Sequence, residues 1–351
     1  MIPINKNLQK KIAIYVCDTD QKGTYPMRRA QAIASLLPDS IDVVFIHLKG
    51  STSPPSNYQS VQIKNHASFI DTLATLKVDL LLRDSGSTSI EDVEKITNIV
   101  PSIIHFDDFG EGGKLADLVV QTLFTEEHDK QPDHYLVGAT SFIIDDQLAP
   151  FIRSGLKPKE NSPLPHLIIS FGEEDPGNLT YRALRHILQL QIPLKVTVLL
   201  GKKYSHDKTE LQMMALGRRN TAVKEQPENH AAFLSTADIV LCASGYMPYE
   251  IAVMGIPCIV LAQNDFEASL DFPKERHGFI HLGPGRKVKQ SSLLNAIMEP
   301  LLHESLRTKA VKRQLALKLG EGEKVIHEAI LYALEHPKRH IHEGKETSDM
   351  L

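Results

Sequence analysis

The residues with most to offer chemically stand together between positions 238 and 262. Asp238-Ile-Val-Leu-Cys242 reads as a buried strand and ends in Ala243-Ser244-Gly245. A turn of that size lets the amides of a helix start face an anion. Glu250 falls inside the helix that follows, and Ile256 to Ala262 reads as a second strand after Gly255. Strand, phosphate-sized turn, helix with one acid, strand: this suits nucleotide binding, and it suits a plain βαβ unit equally well. A second turn of this kind closes the strand His166 to Phe171, in Ser170-Phe-Gly-Glu-Glu-Asp-Pro-Gly-Asn-Leu-Thr180. Gly172 permits close backbone approach, and Asn178 and Thr180 suit the cap of a helix beginning near Leu179. Glu173, Glu174 and Asp175 would repel a pyrophosphate there unless a cation met them or they turned outward. His105 ends a further strand beside Asp107 and Asp108, where an acid could orient an imidazole; a histidine capping local backbone fits the same residues. Asp18 and Asp20 follow the first strand, and Arg28 and Arg29 stand at a helix start on the same side.

Positioning these groups requires a set of strand ends, and the chain supplies them by alternation. Lys11 to Cys17, Ile41 to Leu48, Val78 to Leu82, Ser102 to Phe106 and Leu118 to Gln121 read as strands. Helical spacing separates them at Arg28 to Leu37, Ser68 to Leu76 and Ile90 to Ile99. Near-continuous apolar strands alternating with helices predict parallel sheets covered on both faces. The segment Lys157 to Pro165 is dense in proline and polar residues and reads as a linker. Alternation restarts beyond it, with helices expected at Leu179 to Leu190 and Lys208 to Arg219 and a helical region from Ser291 to Leu334 that returns to the first half. The expectation is an α/β protein of two Rossmann-like, doubly wound domains facing one cleft. Its divisions are an N-terminal domain over 1–152, a C-terminal domain over 153–336 and a charged tail over 337–351, with Thr125 to Asp133 as a surface insertion.

Composition narrows the function classes. The 351 residues are 42% hydrophobic and 23% charged, with a net charge of −4. That balance gives no electrostatic case for nucleic acid or an anionic membrane. No apolar run approaches a membrane span or a signal peptide. Cys17, Cys242 and Cys258 lie in or beside apolar strands without a CxxC pair, which suits reduced, buried thiols in a cytoplasmic protein. His340 and His342 in the tail are read as solvated.

Three stretches taken together carry a resemblance: Ser170 to Thr180, Ser244-Gly-Tyr-Met-Pro-Tyr-Glu250 and Gly255-Ile-Pro-Cys258. They resemble the second domain of the nucleotide-sugar hydrolase of pseudaminic-acid synthesis and, more closely, the spore coat polysaccharide biosynthesis protein of bacilli. Both are similar to the lipid II N-acetylglucosaminyltransferase and share the glycosyltransferase B fold. The resemblance extends over most of the chain and takes in the Lys22-Gly23 turn, Phe106-Asp107-Asp108, and Gly138 to Phe151. It implies UDP held by the second domain, with Gly172 near the diphosphate, Asn178 in the same turn on the nucleotide side, Ser244 and Gly245 meeting it at the helix start, and Glu250 accepting bonds from the ribose hydroxyls. A carboxylate facing a vicinal diol can accept two such bonds. On the sugar side it implies Gly23, Tyr25, Arg29 and Asp84. No cofactor or metal enters this scheme.

The sequence also departs from that family. Aligning Gly23 and Arg29 puts Tyr25 at the family's glycine and Pro26 at the histidine that activates water, and proline cannot transfer a proton. Glu173 and Glu174 stand where a glycine and a small residue are expected, and Ser244, Met247 and Pro248 replace a glycine, a hydroxyl residue and an aliphatic one. His105 and Asp18 are the remaining catalytic candidates. Two functions therefore stand side by side. One is a UDP-sugar-binding hydrolase or transferase of bacterial surface or spore coat polysaccharide synthesis. The other is a catalytically inactive relative acting as a binding or scaffolding partner of another protein in that pathway.

Overall fold

Runs such as Ile12-Ala-Ile-Tyr-Val16 and Ile239-Val-Leu-Cys-Ala243 bury every side chain, so the strands that carry them must be covered on both faces. In the computed structural model, residues 10–17, 23–65, 67–125, 131–155, 164–227 and 229–338 are described. Asp18, Asp20, Lys22, the middle of the linker, most of the insertion and the tail histidines lie outside those residues.

Two parallel sheets result. The first comprises β1 (Lys10–Val16), β2 (Ile41–Leu48), β3 (Gln59–Ile63), β4 (Leu80–Asp84), β5 (Ser102–Phe106), β6 (Leu118–Gln121) and β7 (Tyr135–Val137), ordered β3-β2-β1-β4-β5-β6-β7. The second comprises β8 (His166–Ser170), β9 (Lys195–Leu200), β10 (Thr221–Glu225), β11 (Ile239–Ala243), β12 (Cys258–Ala262) and β13 (Ile280–Pro284), ordered β10-β9-β8-β11-β12-β13. All their pairings are parallel. The strand order reverses at β1/β4 in one sheet and at β8/β11 in the other. In open α/β sheets a crevice opens at the carboxyl ends of such strands.

The helices follow the apolar periodicity: α1 (Tyr25–Leu36), α2 (Ala67–Leu76) and α3 (Ile90–Thr97) in the first half, then α4 (Leu179–Ile187), α5 (Lys208–Leu216), α6 (His230–Ser235), α7 (Met247–Val253), α8 (Asp265–Ser269), α9 (Gln290–Leu302), α10 (Glu304–Leu315) and α11 (Gly322–Glu335). Helix α1 starts at Tyr25, ahead of the Arg28 expected from spacing, because Pro26 sits in the first turn, where a missing N–H leaves nothing unsatisfied. Helix α11 crosses back. Its Ile326, Ile330 and Leu334 pack with Ile12, Ile104 and Val120 of the first sheet, and Ser102 Oγ donates to the Ala333 carbonyl at 3.1 Å.

One apolar cluster joins the two halves. Tyr25 and Phe142 of the first stack with Tyr246 and Tyr249 of the second, and Tyr249 lies face to face with Phe272 at 3.6 Å between ring centres. The Asp271 amide donates to the Phe124 carbonyl at 2.8 Å. Among the described residues no helix is long and apolar enough to cross a membrane.

Candidate functional site

A cleft of about 360 Å³ opens where the carboxyl ends of the two sheets face each other. The first half contributes Gly23, Thr24, Tyr25, Arg28 and Gln147. The second contributes the turns that leave β8, β9, β10 and β11, together with Glu250, Gln263, Asn264 and Glu267.

Several of the residues singled out by sequence meet here. Gly172 stands at φ +84° with no atom near its missing Cβ, so its backbone is bare to the cleft. Gly245 is equally open. Glu250, in the first turn of α7, is 4% exposed and lines the cleft. Gly23 (φ +60°) approaches Glu173 across the opening. Tyr25 lends the cleft part of its ring, while its hydroxyl donates to the Ile143 carbonyl at 3.0 Å and accepts from the Ile143 amide.

Others lie beneath or beside it. Ser244 is fully buried under Gly245, with its Oγ donating to the Glu267 carbonyl. Asn178 takes a left-handed conformation at the start of α4, and its Oδ1 accepts from Tyr204 Oη, away from the cleft. Arg29 is 1% exposed and does not line the cleft; it donates to Asp84 (2.6 and 2.9 Å), Asp107 (2.8 Å) and Thr122. Burial works against its charge, and Asp84, Tyr246 and Asp107 outweigh that, so the guanidinium stays protonated. His105 is fully buried and bonds Asp108 through Nδ1 at 2.6 Å. Burial of Asp108 would raise its pKa, but hydrogen bonds from His105, Thr88 and the Gly110 amide hold it at about 2. The pair braces the end of β5 and reaches no part of the cleft wall.

MurG of Acinetobacter baumannii superposes with a TM-score of 0.64 at 14% identity, covering 92% of this chain and 99% of MurG. The UDP-GlcNAc 2-epimerase of Neisseria meningitidis, solved bound to UDP-GlcNAc, gives 0.60 at 15% identity, over 92% and 100%. The fold is glycosyltransferase B.

No family profile matches the chain. Among curated proteins, an uncharacterized protein of Methanocaldococcus jannaschii is 20% identical over 222 residues, which are 60% of this chain and 46% of that protein. The chain thus spans less than half the length of that relative. The spore coat polysaccharide biosynthesis protein SpsG of Bacillus subtilis is 21% identical over 268 residues, 74% of this chain and 78% of SpsG.

Within this glycosyltransferase B frame, several of the amides suited to grip an anion are already engaged. The Leu179 and Thr180 amides at the start of α4 donate to the Asp175 carboxylate, each at 2.8 Å. The Ser244 amide donates to Glu267 Oε2 at 3.2 Å, and the Gln263 amide joins it at 2.9 Å. Burial raises the pKa of both acids, against the amide bonds that lower it. The Glu250 carboxylate accepts from Arg28, whose other nitrogen donates to Asp145 at 2.7 Å. The sequence puts Arg28 and Glu250 near one cleft but does not pair them. It does not single out Asp145, Glu267 or His230. His230 lines the cleft, its Nε2 3.1 Å from Ser170 Oγ, and burial, then the charge of Arg28, lowers its pKa to about 4, so the ring is neutral near pH 7. The available signals were helix caps: Asn264 accepts from the Glu267 amide at the start of α8, and Asn229 from the Ala232 amide at the start of α6, which begins at His230.

Proposed function

We propose that the chain binds a nucleotide sugar, of the UDP-sugar class, in this cleft, and serves bacterial surface or spore coat polysaccharide synthesis. Glu250 carries the reading: a carboxylate in the cleft wall, one turn into the helix that follows Ser244-Gly245 at the open end of β11. A ribose diol placed against it would complete two charge-assisted hydrogen bonds. The name of the Bacillus subtilis relative and the ligand of the Neisseria meningitidis structure support the same class. In this reading residues 153–336 form the nucleotide side and residues 1–152 the sugar or acceptor side. If turnover occurs, the oxygen of water or of an acceptor hydroxyl bonds to the anomeric carbon as the carbon–phosphate oxygen bond breaks, UDP leaves with the bonding electrons, and the proton lost by the attacking oxygen passes to solvent or to the departing phosphate.

Pro26 favours a second reading. It occupies the place of the family's water-activating histidine and cannot accept a proton. On that reading the chain binds its ligand without turnover and acts as a partner of another protein in the same pathway. Calorimetry with UDP and UDP-N-acetylglucosamine, followed by an assay for released UDP, tests both. Binding with release supports the hydrolase or transferase, and binding without release supports the silent partner. No heat with either ligand at millimolar concentration sinks the nucleotide-sugar reading.

A further inference from the structure

We infer that Arg28 is the residue that neutralises the phosphate of the bound ligand, turning away from Glu250 to do so while Asp145 keeps hold of its other nitrogen. This rests on the nucleotide reading of the cleft. Among the described residues lining the cleft, the carboxylates are Glu173, Glu174, Asp175, Glu250 and Glu267, and the fixed cations are Arg28 and Lys202. A doubly charged diphosphate entering such a wall needs a cation that can come to it. Arg29 is closed off, fully buried between Asp84 and Asp107. The amides at the start of α4 and at Ser244 are spent on Asp175 and Glu267. Lys202 stands at the exposed rim.

Arg28 differs from all of these. It lines the cleft with its side chain 17% exposed, and its fork is divided between one acid of each half, Asp145 behind the cleft and Glu250 in its wall. Asp145, 4% exposed and fixed by the amides of Gln147 and Leu148, is a firm pivot. Glu250 is the other anchor, and it is the carboxylate that the ribose needs. One rotation of the guanidinium would therefore release Glu250 to the diol and carry positive charge to the phosphate, so the two halves of the ligand are recognised by one exchange of partners. A nucleoside without phosphate would have to displace Arg28 with nothing to offer it.

The experiment compares UDP with uridine by calorimetry on the whole chain. The unmodified protein should prefer UDP strongly. In Arg28→Gln, UDP should weaken roughly tenfold or more, the worth of a charged hydrogen bond, while uridine holds or tightens, so that the preference collapses. Arg28→Lys should retain most of the preference. Because Arg28→Gln leaves two acids without their cation, Arg28→Gln combined with Asp145→Asn supplies a second background, and thermal melting verifies that each variant is folded. An unchanged UDP-to-uridine ratio in folded variants overturns the inference and leaves the nucleotide reading standing. No binding of either ligand by the unmodified protein overturns both.

Discussion

The Tyr246 hydroxyl donates to the Asp107 carboxylate at 2.5 Å, tying the turn after β11 to the end of β5 across the boundary between the two sheets. Asp107 is at the same time the partner of Arg29 and of the Leu123 amide. A fully buried polar network thus lies beside the shared aromatic cluster, with Arg29, Asp84 and Asp107 away from the cleft wall. The two halves meet through a common apolar core that includes Tyr25, Phe142, Tyr246 and Tyr249.

That network should be expensive to break. Tyr246→Phe removes one charge-assisted bond and should lower stability by roughly 1.5–3 kcal/mol. Arg29→Met leaves Asp84 and Asp107 buried without their cation and should lower it by about 3–5 kcal/mol. Urea unfolding of both variants measures this. Losses below those of ordinary surface substitutions would mean that the network does not hold the halves together.

Glu250→Ala should weaken UDP by about 1.5–3 kcal/mol for each ribose bond lost. A sharper reading comes from pairing UDP with 2′-deoxy-UDP. The unmodified protein should prefer the ribose form, and Glu250→Ala should bind the two alike. A preference that survives the substitution would assign the diol to another group.

Two glycines separate architecture from ligand contact. A methyl on Gly201 would fall 2.3 Å from Glu173 Cα and 2.6 Å from the Gly172 carbonyl oxygen, so Gly201→Ala must displace the turn after β8 and should destabilise the fold. Gly245→Ala meets nothing within 4 Å and should leave the melting temperature nearly unchanged, while its methyl, standing in the cleft, weakens UDP. Equal affinity for UDP in Gly245→Ala and the unmodified protein would place the phosphate elsewhere.

His230 sets a pH dependence whose sign is fixed. The unfolded chain protonates this ring near 6.5, whereas the folded chain keeps it neutral down to about 4. Its contribution to stability is therefore complete above pH 6.5 and is lost as pH falls through that window, because the unfolded state gains the proton first. The stability gap between the unmodified protein and His230→Gln, measured by urea unfolding, should shrink steadily from pH 7 to pH 4.5. A gap that stays constant would show that His230 does not titrate this way.

The sheets were legible wherever strands are buried on both faces: β1, β5, β8, β11 and β12 all stand where continuous apolar runs predict them. β3 escaped because Gln59-Ser-Val-Gln-Ile63 is an edge strand with a mostly exposed, polar surface, and β10 ends in Lys224-Glu225 for the same reason. Tyr135-Leu-Val137 is too short to announce itself. The cleft was legible in its glycines and in Glu250, since turn chemistry is local in sequence. Its electrostatics were not. Arg28 finds Asp145 and Glu250, and Asp107 finds Tyr246, only through a fold that brings distant strand ends together.

The return of α11 has a consequence for how the protein is made. Ile326, Ile330 and Leu334 cover apolar side chains of the first sheet, so the domain that leaves the ribosome first cannot finish its core until almost the last described residues have emerged. The N-terminal half must wait, part-clad, for the C-terminal half to be translated. Chains cut short before α11 should be bound by chaperones or degraded, even with every residue lining the cleft in place.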